Sequence, residues 1–190
     1  KGEVLFWGLP ATQFIPWRDY AWQQWVGGQW PLWNSLNGMG APLLANYQLA
    51  FFYPPGWIQN LFSAVGGTPW LAWSALLVNA LHLIWAGIGM MLFQRGLGTG
   101  LFGQTISGLA FALCGFFVAR MGTSSMIWAG AWLPWVLFGG MKLVQWSKSS
   151  RNIGFPMTLT GSIALQLLAG HAQLTWYTLI LLFTWVIFLI

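Results

Sequence analysis

The apolar residues of this chain occur in long runs that are separated by single charged or turn-forming residues. No Lys, Arg, Asp or Glu occurs between Asp19 and Arg95. Because a helix of about 20 apolar residues crosses the hydrocarbon core of a bilayer, runs near this length predict membrane spans. They lie at 70–94, 99–119, 124–141, 155–169 and 174–190. The pattern therefore predicts an all-α polytopic membrane protein with about five transmembrane helices.

Two further boundaries are predicted from turn and kink signals. Pro134 lies inside the third span, where a proline removes a helical hydrogen bond and favours a kink. The 39 residues after Arg151 carry no formal charge. As one helix they would be about 58 Å long, nearly twice the hydrocarbon thickness, so we expect a break at Gly-His-Ala-Gln, residues 170–173. Since the chain starts without methionine and stops inside an apolar run, we also expect a fragment of a longer chain.

Charge gives the predicted orientation. Only 5% of the residues are charged, about a fifth of the share in soluble domains, so lipid is the predicted surrounding of most of the surface. The net charge of +5 comes from basic residues that flank apolar runs, which does not fit a nucleic-acid interface. If residues 1–69 lie outside the cytoplasm, the inner connections carry Arg95, Lys142, Lys148 and Arg151, as the positive-inside rule favours.

Residues 1–69 are predicted to form a folded extracytoplasmic loop. Nine of the 16 tryptophans lie in the first 73 residues, and tryptophan prefers the interface between lipid and water. Short helices lying on the membrane are predicted from about 16–18 to the glycines at 27–28, at 43–52 and at 57–65, separated by Gly and Pro residues. Such an apolar segment is unlike disordered chains, so we expect it to pack onto the membrane domain.

Several short elements of the loop follow one another in a specific order. They are Pro-Trp-Arg, Pro-Leu-Trp-Asn, a Gly-x-Pro-x-Leu-Ala-Asn-x-Gln element and Phe-Tyr-Pro-Pro, at 16–18, 31–34, 40–48 and 52–55. A further element, Leu-Leu-Ala-Gly-His-Ala-Gln, occupies 167–173. Together they resemble the YfhO-like family of bacterial membrane proteins, and the resemblance spans roughly residues 2–177.

The resemblance implies a glycosyltransferase of the C-type fold in the bacterial inner membrane. Such an enzyme transfers a sugar from a polyprenyl-phosphate donor to an envelope acceptor outside the cytoplasm. The resemblance does not determine a cofactor, and a divalent metal ion is the one considered. Family members carry an acidic residue within a Gly-Asp element after their first span, and here Gly8-Leu9 stands at the corresponding place.

Asp19 and Arg18 are the charged candidates for a site in the loop. Asp19 is the candidate catalytic base that deprotonates an acceptor hydroxyl; the alternative is a carboxylate that stabilises a helix start. Arg18 is a candidate for binding the donor phosphate, because its planar guanidinium matches phosphate oxygens. Arg120 is the other cation considered for that phosphate.

The remaining candidates for substrate binding are polar residues amid apolar sequence. A buried amide or imidazole needs a hydrogen-bond partner, so each of them either contacts the sugar or phosphate or braces the local backbone. We expect the loop to lie against the break at 170–173, which would bring both groups to one side of the membrane. These candidates are Asn34, Asn46, Gln48, His171 and Gln173.

His82 and Asn79 form a polar pair inside the first predicted span. Such a pair indicates a functional site, and hydrogen bonding between helices explains it equally well. A haem or chlorophyll ligand at His82 is a further interpretation. The alternative function, which the missing Gly-Asp acid and the many aromatic residues favour, is a non-catalytic membrane subunit of a larger complex, including a pigment-containing photosynthetic or respiratory one. A transporter is not favoured, because no carboxylate lies within a span to couple ions.

Overall fold

The computed structural model describes residues 8–149 and 154–190, with side-chain surroundings for 8–145 and 157–190. Its described residues are mainly helical, as predicted. The helices are α1 (Ile15–Val26), α2 (Trp57–Gly96), α3 (Leu101–Ala112), α4 (Gly115–Ala119), α5 (Ser124–Ala131), α6 (Leu133–Ser149), α7 (Gly154–Leu168) and α8 (Ala172–Leu189). Four described stretches are long and apolar enough to cross a membrane: Pro54–Gly96, Leu101–Ala119, Ser124–Gln145 and Ala172–Leu189. The chain is therefore an all-α membrane protein.

The segment ahead of α2 is folded around its own small core. A π-helical turn, Pro10–Phe14, leads directly into α1. Two strands of two residues each, β1 (Trp33–Asn34) and β2 (Ala41–Pro42), pair in antiparallel orientation. The core of the segment contains Ala21, Leu43, Leu49 and Phe51, with Trp17, Tyr20, Trp25, Leu44 and Trp57 packed around them. This aromatic packing is the physical reason why so apolar a loop is ordered.

The first predicted interfacial helix is observed, and the second is much shorter than predicted. The helix predicted from about residues 16–18 to the glycines at 27 and 28 is present as α1, which begins at Ile15 and ends at Val26. The helix predicted at 43–52 is reduced to one 3₁₀ turn, Tyr47–Leu49, which ends at Ala50 with a φ of 50°. That left-handed conformation is unfavourable for a residue with a Cβ and cannot continue a helix.

The helix α2 joins the third predicted interfacial helix to the first predicted span. Its backbone is kinked at Gly67, where φ is 68° and ψ is −160°. Glycine has no Cβ, so it adopts this conformation without the steric penalty that other residues meet. Pro69 follows within the next turn, where its missing N–H also weakens the helix. The kink separates the loop-facing start of α2 from its membrane-spanning part.

The second and third spans are each interrupted. Between α3 and α4, Cys114 is extended, with φ −62° and ψ 151°, so the predicted span 99–119 is a broken helix. Between α5 and α6 the helix turns at Trp132, and Pro134 lies in the first turn of α6. This interruption lies two residues before Pro134, the position of the predicted kink, and a proline in the first helical turn costs no hydrogen bond.

The last two predicted spans differ in length. The break predicted at 170–173 is present, because Gly170 has a φ of 84° and α8 starts at Ala172. The helix α7 has 15 residues, about 22 Å, which is short for a bilayer of about 30 Å. It is therefore not among the four long helices, where the sequence pattern predicted a fifth span.

The helix α2 is the centre of the described bundle and packs against α1, α3, α5 and α6. The helix α5 is the most enclosed, and Ile127, Trp128 and Ala129 are fully buried. Small residues permit the closest approach, since a Cβ on Gly108 of α3 would lie 2.9 Å from the carbonyl oxygen of Gly87 in α2. By contrast, large apolar residues of α3 and α8 are exposed, as expected for lipid contact.

Candidate functional site

A hydrogen-bonded aromatic cluster joins the loop to α2 and the α5–α6 turn. The hydroxyl of Tyr53, which is fully buried, lies 2.7 Å from Nε2 of His82 and accepts a bond of 2.8 Å from Nε1 of Trp132. Nδ1 of His82 lies 2.7 Å from the carbonyl oxygen of Val78. The ring of Trp128 stacks on both Tyr53 and His82, with centroid distances of 5.1 and 5.5 Å.

Asn79 connects the same cluster to the end of α4. Its side-chain oxygen accepts a bond of 3.0 Å from Nε1 of Trp128, and its nitrogen donates 2.8 Å to the carbonyl oxygen of Met121. The predicted polar pair of Asn79 and His82 therefore has a bracing role between elements. Both ring nitrogens of His82 are engaged in hydrogen bonds, so neither is available to ligate a haem or chlorophyll in this conformation.

Arg18 lies on the inner side of α1, against this cluster. It is 7% exposed, its Nη1 donates 2.9 Å to the side-chain oxygen of Gln59, and its guanidinium carbon lies 4.3 Å from the ring centroid of Trp128. Burial lowers the pKa of Arg18 to about 10, so the group is still a cation at neutral pH. The spaces beside it measure about 20 and 10 Å³, roughly one water molecule each.

Asp19 lies on a different, more open side of the same helix. Its Oδ2 accepts bonds of 2.9 Å from Gln23 and 3.0 Å from Thr68. The carboxylate lines an open cleft of about 560 Å³ between α1 and the kinked part of α2. The other lining residues are Trp22, Gln23, Val26, Gly27, Ser63, Ala64, Gly67 and Thr68. Although Arg18 and Asp19 are adjacent in sequence, Arg18 is buried and Asp19 lies on the open cleft.

The predicted asparagine ligands of the loop brace its backbone. Oδ1 of Asn34 accepts from the backbone N–H of Leu36 at 3.0 Å, and the residue is buried in β1. Oδ1 of Asn46 accepts from the backbone N–H of Gln48 at 3.2 Å and caps the 3₁₀ turn. Both are the local turn bonds that this residue type favours. Substrate contact by Asn34, Asn46 or Gln48 stays a prediction.

The loop packs against the break between α7 and α8, as predicted. The hydroxyl of Tyr47 donates 2.5 Å to the carbonyl oxygen of Leu167. A Cβ built on Gly170 would lie 2.7 Å from the carbonyl oxygen of Tyr47 and 3.0 Å from the Cβ of Ala50. Only glycine therefore allows this approach of the two backbones. The predicted docking of loop and break is confirmed by these contacts.

His171 and Gln173 lie at the start of α8. Nδ1 of His171 accepts from the backbone N–H of Leu174 at 3.2 Å, so the imidazole caps the helix. Burial lowers the pKa of His171, which favours the neutral form that can accept this bond. Gln173 is exposed and donates 2.7 Å to the hydroxyl of Tyr177. Sugar or phosphate contact by either residue stays a prediction.

Several residues of these sites were missed by sequence reasoning. Gln59, fully buried, binds Arg18, and Thr68 binds Asp19. The available signal was a run of polar side chains, including Gln59 and Asn60, at the start of an apolar helix, since such groups need partners. No group of three or more His, Cys, Asp or Glu side chains suitable for a metal ion occurs within the described residues.

The chain also presents an apolar crevice on the outer side of the cluster. It measures about 270 Å³ and is lined by Pro55, Ile58, Val78, Leu81, His82, Trp85 and Trp132.

Searches against protein-family models, curated proteins and solved structures found no match to this chain. Its function is therefore argued from its own residues and their geometry.

Proposed function

We propose that this chain is the membrane part of a glycosyltransferase that uses a polyprenyl-phosphate sugar. The acceptor is an envelope molecule, and transfer occurs at the extracytoplasmic face of a bacterial inner membrane, on the side of residues 1–69. The observation that carries the proposal is the open cleft beside Asp19. At about 560 Å³ it has the size of a small-molecule site, and it combines a carboxylate with an aromatic and an amide side chain.

The arrangement around Asp19 suits a general base. Gln23 and Thr68 both donate to Oδ2, and this fixes the carboxylate while Oδ1 has no hydrogen-bond partner among the described residues. An ionised carboxylate has about four acceptor sites, so Oδ1 is free to accept the proton of an acceptor hydroxyl. The deprotonated hydroxyl oxygen of the acceptor then attacks the anomeric carbon of the sugar, and polyprenyl phosphate leaves. Trp22 supplies an apolar surface for a sugar ring.

The donor phosphate requires a cation near the cleft or the neighbouring membrane surface. The spaces beside Arg18 hold about one water each, too little for a phosphate group in this conformation. Arg120 is exposed at the end of α4. Nearby, Gly122 packs against Pro10, because a Cβ built on that glycine would lie 3.1 Å from Cγ of Pro10. We therefore assign the phosphate contact to Arg120 and leave Arg18 its buried position.

The test is sugar transfer by the full-length protein in liposomes. Polyprenyl-phosphate hexoses with a labelled sugar are supplied, and release or transfer of label is measured. Asp19→Asn keeps the size of the side chain and an oxygen acceptor but removes the base, so the rate should fall about 10²- to 10⁴-fold. The melting temperature of the variant, measured in parallel, should match that of the unmodified protein.

Two results would count against the proposal. Full activity of Asp19→Asn would exclude the carboxylate as base. A protein that neither binds polyprenyl phosphate nor releases label, and that copurifies with a stoichiometric membrane partner, would favour the alternative function as a non-catalytic subunit. Thr105→Ala, which alters an exposed residue of α3, is the control and should leave transfer unchanged.

A further inference from the structure

The surroundings of Arg18 contain more hydrogen-bond donors than acceptors. A guanidinium carries five N–H donors and no acceptor, and one of them donates to Gln59. Trp128 contacts the face of the group, which contributes a cation–π attraction but accepts no conventional hydrogen bond. The positive charge is buried, and burying a charge without compensation is costly.

Gln59 adds a second unsatisfied donor. Because Arg18 can only donate, the amide of Gln59 must turn its oxygen toward the guanidinium, and this fixes the position of its nitrogen. That nitrogen, Nε2, is buried and has no hydrogen-bond partner. The side chain is fully buried, so bulk water does not compensate for the missing bond.

No described carboxylate neutralises this charge. Asp19 is the one acidic residue in the described part of the chain, and its carboxylate binds Gln23 and Thr68 on the open cleft. Asn79 lines the same small space as Arg18, but its side-chain oxygen accepts from Trp128. Glu3 lies outside the described residues.

A small space lies beside both unsatisfied groups. It measures about 20 Å³ and is lined by both Arg18 and Gln59. Its other walls come from the opening segment, α2 and the start of α5: Pro10, Phe14, Ile15, Ala72, Ala75, Leu76, Asn79, Met121, Gly122 and Ser124. A space of about 10–15 Å³ is enough for one water-sized particle, so a polyatomic anion does not fit.

We propose that this space binds one monatomic anion of halide size, which is chloride under ordinary conditions. A water molecule in the space would accept from both donors but leave the guanidinium charge uncompensated. Chloride accepts hydrogen bonds from both and neutralises the charge as well, so in a low-dielectric site it is the stronger ligand. The anion would link α1 to α2 at the base of the loop. This site is separate from the cleft of Asp19 and does not depend on the proposed glycosyltransferase activity.

The test is thermal unfolding of the purified full-length protein at constant ionic strength. Sodium gluconate is replaced stepwise by sodium chloride or bromide, and in a separate arm by sodium phosphate. A ligand that binds only the folded state raises the melting temperature as its concentration increases. We expect a saturable rise with chloride and bromide and none with phosphate. A bromide peak in anomalous diffraction, between Arg18 and Gln59, would locate the ion directly.

Two variants separate this site from general salt effects. Gln59→Glu supplies its own negative charge beside the guanidinium, so its melting temperature should no longer depend on halide. Gln94→Glu makes the same substitution in the same helix at a half-buried position far along the chain, and its halide response should equal that of the unmodified protein. Loss of the response in both would show that the effect does not arise at Arg18.

An unmodified protein whose melting temperature does not depend on halide overturns the proposal. An equal rise with phosphate would also overturn it, since the space is too small for that ion.

Discussion

Tyr53 provides the sharpest test of how the loop is held on the membrane domain. Its hydroxyl is the shared partner of His82 and Trp132, at 2.7 and 2.8 Å. The substitution Tyr53→Phe removes one oxygen atom and leaves the ring, which stacks on Trp128, in place. The change therefore isolates the polar contribution of a fully buried side chain.

The expected cost follows from the two groups left without a partner. Nε2 of His82 and Nε1 of Trp132 would each lose a bond in surroundings where His82 is 6% and Trp132 is 8% exposed. A buried polar group left unsatisfied costs about 1–3 kcal/mol. Because both groups share one partner and relax together, we expect a total of about 2–4 kcal/mol. The spatial gap is small, so no large cavity term is added.

The assay is reversible unfolding in mixed micelles of a mild detergent and SDS, followed by far-ultraviolet circular dichroism. Tyr20→Phe is the matched control, because its hydroxyl makes a single bond of 3.2 Å to Ser35 near the surface, and it should cost less than about 1 kcal/mol. In the double variant with Trp132→Phe, the loss should be smaller than the sum of the single losses. Equal costs for Tyr53→Phe and Tyr20→Phe would refute the reasoning.

Two further predictions concern the break between α7 and α8. Gly170→Ala should destabilise the fold by about 2 kcal/mol or more and make the loop sensitive to protease, because its Cβ would meet a loop carbonyl oxygen at 2.7 Å. Gly98→Ala is the control for backbone strain alone, since Gly98 has a similar φ of 82° and nothing within 4 Å of a Cβ. Equal effects of the two substitutions would contradict the predicted clash. Burial lowers the pKa of His171 in the folded state, so the unfolded chain binds the proton more readily. The stability is therefore complete above about pH 6.5 and falls as the pH drops below it. His171→Asn retains a capping acceptor without a titrating group, and its melting temperature should depend less on pH between about 8 and 5; an unchanged dependence would place the titration elsewhere.

The sequence pattern predicted the main elements well where the signal was local. Uncharged runs near bilayer length became the long helices, and Pro134 and Gly170 mark interruptions because their backbone preferences do not depend on distant contacts. It was less accurate where length or packing decided. The helix predicted at 43–52 is one 3₁₀ turn, and the span predicted at 155–169 is a helix of 15 residues, which is short for a bilayer.

The candidate site was less predictable than the fold. Asn34 and Asn46 look alike as ligands or as turn braces in sequence, because an asparagine amide serves both purposes, and their bonds to Leu36 and Gln48 favour the brace. Gln59 received no role, since its importance arises from Arg18, which lies 41 positions away.

By itself the sequence determined that this chain is a helical membrane protein whose aromatic loop packs on the break at Gly170. Apolar run length and turn chemistry are properties of neighbouring residues, so they can be read without a fold. Only the tertiary structure decided that Arg18 faces a small, donor-rich space while Asp19 faces an open cleft. The two are consecutive on α1, about 100° apart around the helix, and their surroundings are set by α2 and α5, which come much later in the chain.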